Sequence, residues 1–284
     1  MKLGYMTLWA SEAIEHANEL DFAYLELVSL PAPYGCDMVN DLDSPGKIED
    51  LRAKAKDLGI EVSSINTMLN PMSSDASVAQ SDAAYLRKLI ILAGQLGVPY
   101  VSSSSGQNTA ISLDENYRLF GGVYRELVAV AEANNVKIVF ENCLHGFPSG
   151  VNIAVNPETW EALFNEVDSP SLGLEFDPSH LIYQFIDPVS AARKFASRIM
   201  LVHGKDTEIL KDKLAHGGIH SPSGFWRFAL PGYGDVDWAG VFRVLRETGF
   251  DGHVLIENED SCFENDRFDE GLLIARQFLK QFVW

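Results

Sequence analysis

Short apolar runs recur along the chain, and each has the length of a β-strand. Several are nearly continuous in β-branched and other apolar residues, which is typical of strands covered on both faces. The pattern predicts strands over residues 3–9, 22–28, 60–66, 98–104, 136–142, 172–177, 199–204 and 253–258.

Amphipathic stretches with helical periodicity separate most of these runs. Residues 115–133 repeat apolar side chains at steps of three and four, and Ser112 with Glu115 has the spacing of a capping box. Gly59 and Gly97 stand where a helix must turn left-handed before the next strand. The chain therefore alternates strands with helices.

The regular repeat of these units indicates the fold class. The second to fifth predicted strands begin 38 residues apart, which suits a β-loop-α-loop unit. Eight such units without a linker predict an α/β fold, a single-domain (β/α)₈ TIM barrel over residues 1–284. A doubly wound open sheet is the alternative, but residues 6–9 (MTLW) are unlike its Gly-rich first turn.

One connection, residues 205–236, is too long for a simple turn between the seventh and eighth predicted strands. It is rich in glycine and aromatic residues and includes Trp226 and Arg227. Long irregular segments in compact domains are usually lids or binding loops. We therefore expect this long loop to cover a site and to carry Trp226 or Arg227 toward a substrate.

Charge and cysteine content limit the classes of partner. The 284 residues carry 22 basic and 40 acidic side chains, a net charge of −18, which argues against nucleic acid and anionic membranes. Cys36, Cys143 and Cys262 lack the spacing of a metal or redox motif, and free thiols fit a reducing compartment. With no apolar run long enough to span a bilayer, a cytoplasmic protein is expected.

Polar residues close four successive apolar runs in the second half of the chain. They are Glu141, Asp177, His203 and Glu257. Barrel chemistry lies at the carboxyl ends of strands, and three carboxylates with one imidazole suit one divalent ion. No Arg or Lys adjoins the three acids along the chain, so a metal is the expected partner of their charge. Mn²⁺ is preferred, with Mg²⁺, Co²⁺ or Zn²⁺ as alternatives.

Five motifs resemble those of the xylose isomerase-like barrel superfamily, and within it the sugar isomerase/epimerase group that includes ketose 3-epimerases. The motifs are FEN (140–142), LEFDPSH (174–180), VHGKD (202–206), PGYGDVDW (231–238) and GFDGHVLIENED (249–260). The resemblance implies the metal ligands Glu141, Asp177, His203 and Glu257. It also implies that Glu141 and Glu257 are the acid/base pair and that His180 and Arg227 contact substrate.

The expected reaction is proton transfer next to a carbonyl group. A divalent ion that holds a ketone oxygen and the adjacent hydroxyl stabilises an enediolate, and one glutamate on each face then inverts the carbon. A single base gives aldose–ketose isomerisation instead. A dehydratase or lyase, acting on a keto-inositol or keto-glycoside, needs the same intermediate and an acid that expels a β-substituent. The sequence therefore predicts the intermediate better than the product.

Two other classes of function are alternatives to this reaction. A three-metal abasic-site endonuclease requires histidines where the third and fourth strands end, and the chain has Asn66-Thr67 and Ser103-Ser104 there. A non-catalytic, metal-stabilised binding subunit is the alternative outside enzymes. The scarcity of cations near the last two strands favours an unphosphorylated sugar or polyol. A homo-oligomer is compatible with the sequence.

Four further side chains are candidates for substrate binding. His180 can donate to a substrate oxygen or act as a leaving-group acid, or it can instead support a ligand. Trp226 can form an apolar platform for a sugar, Arg227 can contact substrate, and Glu26 can bind a hydroxyl or pair with a neighbour. Lys205 and Asp206 are expected in a supporting ion pair rather than in catalysis.

Overall fold

The structure, a computed structural model, describes residues 1–144 and 152–283 and contains a closed parallel barrel. The barrel strands are β1 (Lys2–Leu8), β2 (Tyr24–Val28), β3 (Glu61–Thr67), β4 (Tyr100–Ser103), β5 (Lys137–Glu141), β6 (Leu172–Phe176), β7 (Ile199–Gly204) and β10 (His253–Ile256). Their order is β1-β10-β7-β6-β5-β4-β3-β2, and each overlaps one predicted run. The predicted (β/α)₈ TIM barrel is confirmed.

Helices connect most of these strands. They are α1 (Ala13–Glu19), α2 (Met38–Asp41), α3 (Pro45–Leu58), α4 (Ala76–Leu96), α5 (Leu113–Ala133), α6 (Pro157–Glu166), α7 (Ser179–Ile182), α8 (Pro188–Phe195), α9 (Lys211–Gly217), α10 (Trp238–Glu247) and α11 (Phe268–Leu279). Short 3₁₀ turns cover Ser261–Phe263 and Asn265–Arg267. Within the described ranges, no helix combines the length and apolar character needed to cross a membrane.

Local signals set the ends of these helices as the sequence predicts. Ser112 and Glu115 form the reciprocal capping box at the start of α5. Gly97, which follows α4, has a φ of 78°, and its N–H closes onto the carbonyls of the last turn. A residue without a Cβ tolerates this left-handed conformation.

The described chain falls into two compact units. The first contains residues 1–6 and 176–283. In it, β10 pairs with both β1 and β7, so His253 lies opposite Lys2 on one side and Leu201 on the other. Helices α8 and α10 pack against each other.

The second unit contains residues 7–144 and 152–175, with β2 to β6 side by side and parallel. Its core includes a cluster of three aromatic rings. Phe140 of β5 packs edge-on against Phe120 and Tyr124 of α5, with ring centroids 5.5 and 5.0 Å away. This apolar contact holds a helix against the strand that ends in Glu141.

The long connection predicted over 205–236 is folded rather than irregular. It contains β8 (Asp206–Ile209), the exposed helix α9 and β9 (Trp226–Ala229), and the two strands form an antiparallel pair. The expectation of an irregular segment is therefore wrong. The backbone N–H and C=O groups of β8 and β9 pair with each other. This pairing does not depend on a run of apolar residues, so the apolar pattern along the chain did not indicate it. The role of this hairpin as a cover for a site stays a prediction.

Asp206 holds the hairpin to the segment that follows it. Its carboxylate is buried and accepts hydrogen bonds from the N–H groups of Gly232 and Val236, at 2.9 and 3.0 Å, and from the indole N–H of Trp238, at 3.0 Å. A Cβ on Gly234 would lie 2.3 Å from this carboxylate, so a side chain there would displace it. Asp206 is thus a structural acceptor and does not form the expected ion pair with Lys205.

We predict that Asp206→Ala lowers the free energy of unfolding by about 2–4 kcal/mol, because the buried N–H groups of Val236 and Trp238 lose their acceptor. Urea denaturation followed by circular dichroism measures the change. Asp212→Ala, on the exposed helix α9, is the matched control and should change stability by less than about 0.5 kcal/mol. Equal stability of the two variants would contradict the assigned role.

Candidate metal centre and active site

Three of the predicted ligands lie together in the first unit. Asp177 directly follows β6, His203 lies in β7, and Glu257 directly follows β10; all three side chains are buried. The Nδ1 atom of His203 is 3.1 Å from Oε2 of Glu257, and ligand atoms of the three residues lie within 4.8 Å of one another. His203 of β7 pairs with Leu255 of β10, and Glu257 follows Leu255 by two residues. His203 and Glu257 therefore lie at the same end of these two strands.

Lys205 lies among these carboxylates. Its Nζ atom is 2.6 Å from Oε2 of Glu257, 3.2 Å from Oδ2 of Asp177 and 3.0 Å from Oε2 of Glu259. The expectation that these acids lack a basic neighbour is therefore wrong. It rested on residues adjacent in the sequence, whereas Lys205 is a neighbour in the folded structure. Lys205 follows His203 by two residues, the spacing that returns an extended chain to the same side.

The charge balance of this cluster fits a divalent cation. Asp177, Glu257 and Glu259 bring three carboxylates to one ammonium group, and the first two carboxylates are buried. Buried charge is costly unless it is paired, so an excess of buried negative charge favours a bound cation. Carboxylate oxygens with one imidazole nitrogen are donors that Mn²⁺, Mg²⁺, Co²⁺ and Zn²⁺ accept.

The fourth predicted ligand, Glu141, is the buried last residue of β5 in the second unit. The side chain of Asn152 fastens the chain around it by donating to the carbonyls of Glu141 and Cys143, each at 3.0 Å. Ser105 in turn donates to Oδ1 of Asn152 at 2.7 Å. Sequence reasoning missed Asn152 and Ser105, since nothing in their neighbourhood indicates this long-range contact.

Two carboxylates are fully buried inside the second unit. Glu26 lies in the middle of β2, not at its end, and accepts a hydrogen bond of 2.5 Å from Ser64. Glu175 of β6 accepts hydrogen bonds from Ser102 and from Asn66, the latter at 3.2 Å. Because Glu26 lies inside β2 and is hydrogen-bonded to Ser64, its position favours pairing with a neighbouring residue over binding a substrate hydroxyl. Sequence reasoning missed Glu175, although a charged residue within the apolar run LGLEF was a usable signal.

His180 contacts one of the predicted ligands. Its fully buried ring lies in α7, with Nε2 3.4 Å from Oδ2 of Asp177 and Nδ1 2.9 Å from the hydroxyl of Tyr183. Phe228 of β9 packs edge-on against the ring, with centroids 5.3 Å apart. His180 therefore adjoins the acidic cluster, as expected for either of its predicted roles.

The two hairpin candidates have structural contacts. Arg227 donates to Glu208 at 2.7 Å and to Asp260 at 3.2 Å. Burial opposes the charge of this guanidinium, but its hydrogen bond to Glu208 and the charge of Asp260 outweigh that effect and raise the pKa of Arg227. Trp226 stacks on Tyr183, with centroids 4.1 Å apart and planes 12° apart. These contacts tie the hairpin to α7 and to the loop after β10.

A closed parallel barrel with buried acids and an imidazole at its strand ends defines a class of barrel proteins built around a candidate metal centre. Residues 14–281 match the family described as xylose isomerase-like TIM barrel. Because this match covers most of the sequence, the chain belongs to that family.

Two sequence relatives match different shares of their own lengths. The chain is 30% identical over 323 residues to the uncharacterized protein YfiH of Bacillus subtilis, a match that covers 100% of this chain and 99% of the relative. It is 27% identical over 175 residues to inosose dehydratase of Clostridium beijerinckii, covering 59% of this chain and 55% of that enzyme. The chain thus spans about half the length of this dehydratase.

Solved structures share the fold. A D-tagatose 3-epimerase-like protein is 24% identical, with a TM-score of 0.74 and coverage of 99% of this chain and 97% of that one. The IOLI protein with a binding zinc atom is 19% identical, with a TM-score of 0.73 and coverage of 100% and 98%. At these identities the similarity establishes the barrel architecture.

We predict that Lys205→Met strengthens Mn²⁺ binding by about tenfold, because the ammonium group competes with a divalent cation for the same carboxylates. Isothermal titration calorimetry measures the dissociation constants. Lys213→Met, which removes an exposed lysine of α9, is the control and should bind Mn²⁺ like the wild type. Weaker binding by Lys205→Met would show instead that the lysine holds the carboxylates in place.

Proposed function

We propose that this chain is a divalent-metal-dependent sugar isomerase or epimerase that acts on an unphosphorylated ketose or keto-sugar through an enediolate. The observation that carries the proposal is the buried group of Asp177, His203 and Glu257 at the strand ends of a xylose isomerase-like barrel. Mn²⁺ is the proposed ion, and the zinc atom bound by the structurally similar IOLI protein supports a metal of this kind.

We propose Glu141 as the fourth ligand. Strands β5 and β6 are paired so that Glu141 lies opposite Glu175, and Asp177 follows Glu175 by two residues. This register supports a set of three carboxylates and one imidazole.

In the proposed mechanism, Glu141 and Glu257 move the protons. One carboxylate removes the proton from the carbon beside the carbonyl group, and the other returns a proton to the opposite face. When bound, a divalent ion supplies Lewis-acid polarisation of the substrate oxygens. If only one of the two glutamates reacts, the proton returns to the adjacent carbon or to the same face.

The charge of the surrounding residues supports an unphosphorylated substrate. Lys205 is engaged by Asp177 and Glu257, while Arg227 is engaged by Glu208 and Asp260. These cations are already neutralised by carboxylates, so they offer a phosphate little net attraction. A neutral sugar or polyol fits this balance.

A dehydratase or lyase is the second candidate function. The contact of His180 with Asp177 favours it, because an imidazole at that place can give a proton to a departing β-substituent. The inosose dehydratase relative supports the same reaction class, with a keto-inositol or keto-glycoside as substrate. Both reactions begin with the same proton removal.

The remaining parts of the proposal concern contacts and surroundings. His180, Trp226, Arg227 and Glu26 are the proposed substrate-binding residues, although the pairing of Glu26 with Ser64 favours a supporting role for that carboxylate. Cys36, Cys143 and Cys262 are free thiols, which supports a cytoplasmic location. A homo-oligomer is compatible with the proposal, whereas nucleic acid and membranes are not proposed partners.

We predict that His203→Ala weakens Mn²⁺ binding by at least about 10-fold, because the nitrogen donor of the set is lost. Metal analysis of purified protein and calorimetric titration measure the change. His216→Ala, at the exposed end of α9, should retain wild-type metal content. Equal metal content in both variants would refute the ligand assignment.

The reaction is tested by incubating the protein and Mn²⁺ in D₂O with ketoses, keto-inositols and keto-glycosides. We predict deuterium incorporation next to the carbonyl group, with inversion for an epimerase and loss of a β-substituent for a lyase. A binding subunit would bind a sugar without exchange. NMR spectroscopy and mass spectrometry distinguish these outcomes.

We predict that Glu141→Gln and Glu257→Gln each lower turnover by at least about 100-fold, because the amide keeps the shape but cannot transfer the proton. Exchange that survives without inversion in one variant would support two bases on two faces. Glu247→Gln, at the exposed end of α10, is the control. Near wild-type epimerisation by both active-site variants would show that the acid/base assignment is wrong.

A further inference from the structure

Three aromatic side chains connect the hairpin to the acidic cluster. Trp226 of β9 stacks on Tyr183, Tyr183 is hydrogen-bonded to His180, and His180 contacts Asp177. We infer that Tyr183 is a positioning residue that fixes the ring orientation and the tautomer of His180, and that Trp226 acts on His180 through Tyr183. The importance of this contact for catalysis rests on the proposed function.

Local geometry brings the tyrosine to the histidine. Tyr183 follows His180 by three residues at the end of α7, and residues at this spacing share one face of a helix. The side chain of Gln184 donates to the backbone carbonyl of His180 at 2.7 Å, which holds the turn. The phenol hydroxyl thereby lies 2.9 Å from Nδ1 in a site where the imidazole is fully buried.

The two neighbours of the imidazole determine which nitrogen carries hydrogen. Nε2 faces a carboxylate oxygen of Asp177, which is an acceptor when ionised, so the neutral ring places its N–H on Nε2. Nδ1 is then an acceptor, and the hydroxyl of Tyr183 donates to it. In this tautomer Tyr183 is hydrogen-bonded to Nδ1 and the N–H of Nε2 is directed toward the carboxylate of Asp177, 3.4 Å away, whereas the other tautomer would place a lone pair against that carboxylate.

The hairpin holds the tyrosine ring in place. Trp226 covers one face of Tyr183 at 4.1 Å, and Phe228 contacts Tyr183, Trp226 and His180 through ring edges. Trp226 and Phe228 lie on the same side of β9, because side chains alternate along a strand. Trp226, which is predicted to contact substrate, therefore also contacts Tyr183, the residue that is hydrogen-bonded to His180.

Tyr183→Phe tests the inference, since it removes the hydroxyl and keeps the stacked ring. Nitrogen-15 NMR of the histidine side chains, at about pH 8, above the ordinary pKa range of histidine, reports the tautomer without any substrate. We expect a mixed tautomer population for His180 and about tenfold lower kcat with a KM within about twofold of the wild type. Tyr233→Phe, which alters a half-exposed tyrosine, should leave the spectrum unchanged.

A double-mutant cycle with Trp226→Phe tests the route of action. If Trp226 acts through Tyr183, its effect on the tautomer ratio and on kcat disappears in the Tyr183→Phe background. Additive effects would overturn that part of the inference and would identify Trp226 as an independent contact. An unchanged His180 spectrum in Tyr183→Phe would overturn the positioning role.

The spectroscopic and kinetic results separate this inference from the proposed function. If Tyr183→Phe alters the tautomer of His180 but leaves turnover unchanged, the contact between Tyr183 and His180 does not matter for catalysis, and the proposed reaction is unaffected. If no sugar of the D₂O panel exchanges a proton, the proposed function fails, and the spectra of the variants still decide whether Tyr183 orients His180.

Discussion

Buried negative charge at the ends of apolar strands is the constraint on which the rest of this structure depends. Asp177 and Glu257 stand where two strands of the barrel end, away from solvent, and each needs a compensating cation. Lys205 supplies one ammonium group to both. The remaining negative charge would favour the proposed divalent ion, for which Lys205 would compete because it pairs with the same carboxylates.

The hairpin of β8 and β9 is joined to neighbouring segments by several polar and aromatic contacts. Asp206 accepts hydrogen bonds from the N–H groups of Gly232 and Val236, and Arg227 joins Glu208 of the facing strand to Asp260 of the loop after β10. The stack of Trp226 on Tyr183 adds an apolar contact to α7. All of these contacts would have to break for the hairpin to move as a whole, so they oppose its opening.

The two candidate reactions share their first half and differ in their second. Removal of a proton beside a carbonyl needs a carboxylate base and stabilisation of the developing oxygen charge, which the proposed centre combines. Inversion then requires a second proton donor on the opposite face, whereas elimination requires an acid beside the leaving group. The proposed acid for elimination is His180, which contacts Asp177 and is hydrogen-bonded to Tyr183.

The sequence by itself determined the barrel and its helix ends, because strand runs and caps such as Ser112 depend on residues close in the chain. It also indicated Asp177 and His203, since parallel strands place their ends at one rim. Only the tertiary structure decided that Lys205 joins the acidic cluster, that Asp206 binds backbone donors and that residues 205–236 contain a hairpin. These features are contacts between segments far apart in sequence, and their partners are chosen by packing, which neither periodicity nor capping signals encode.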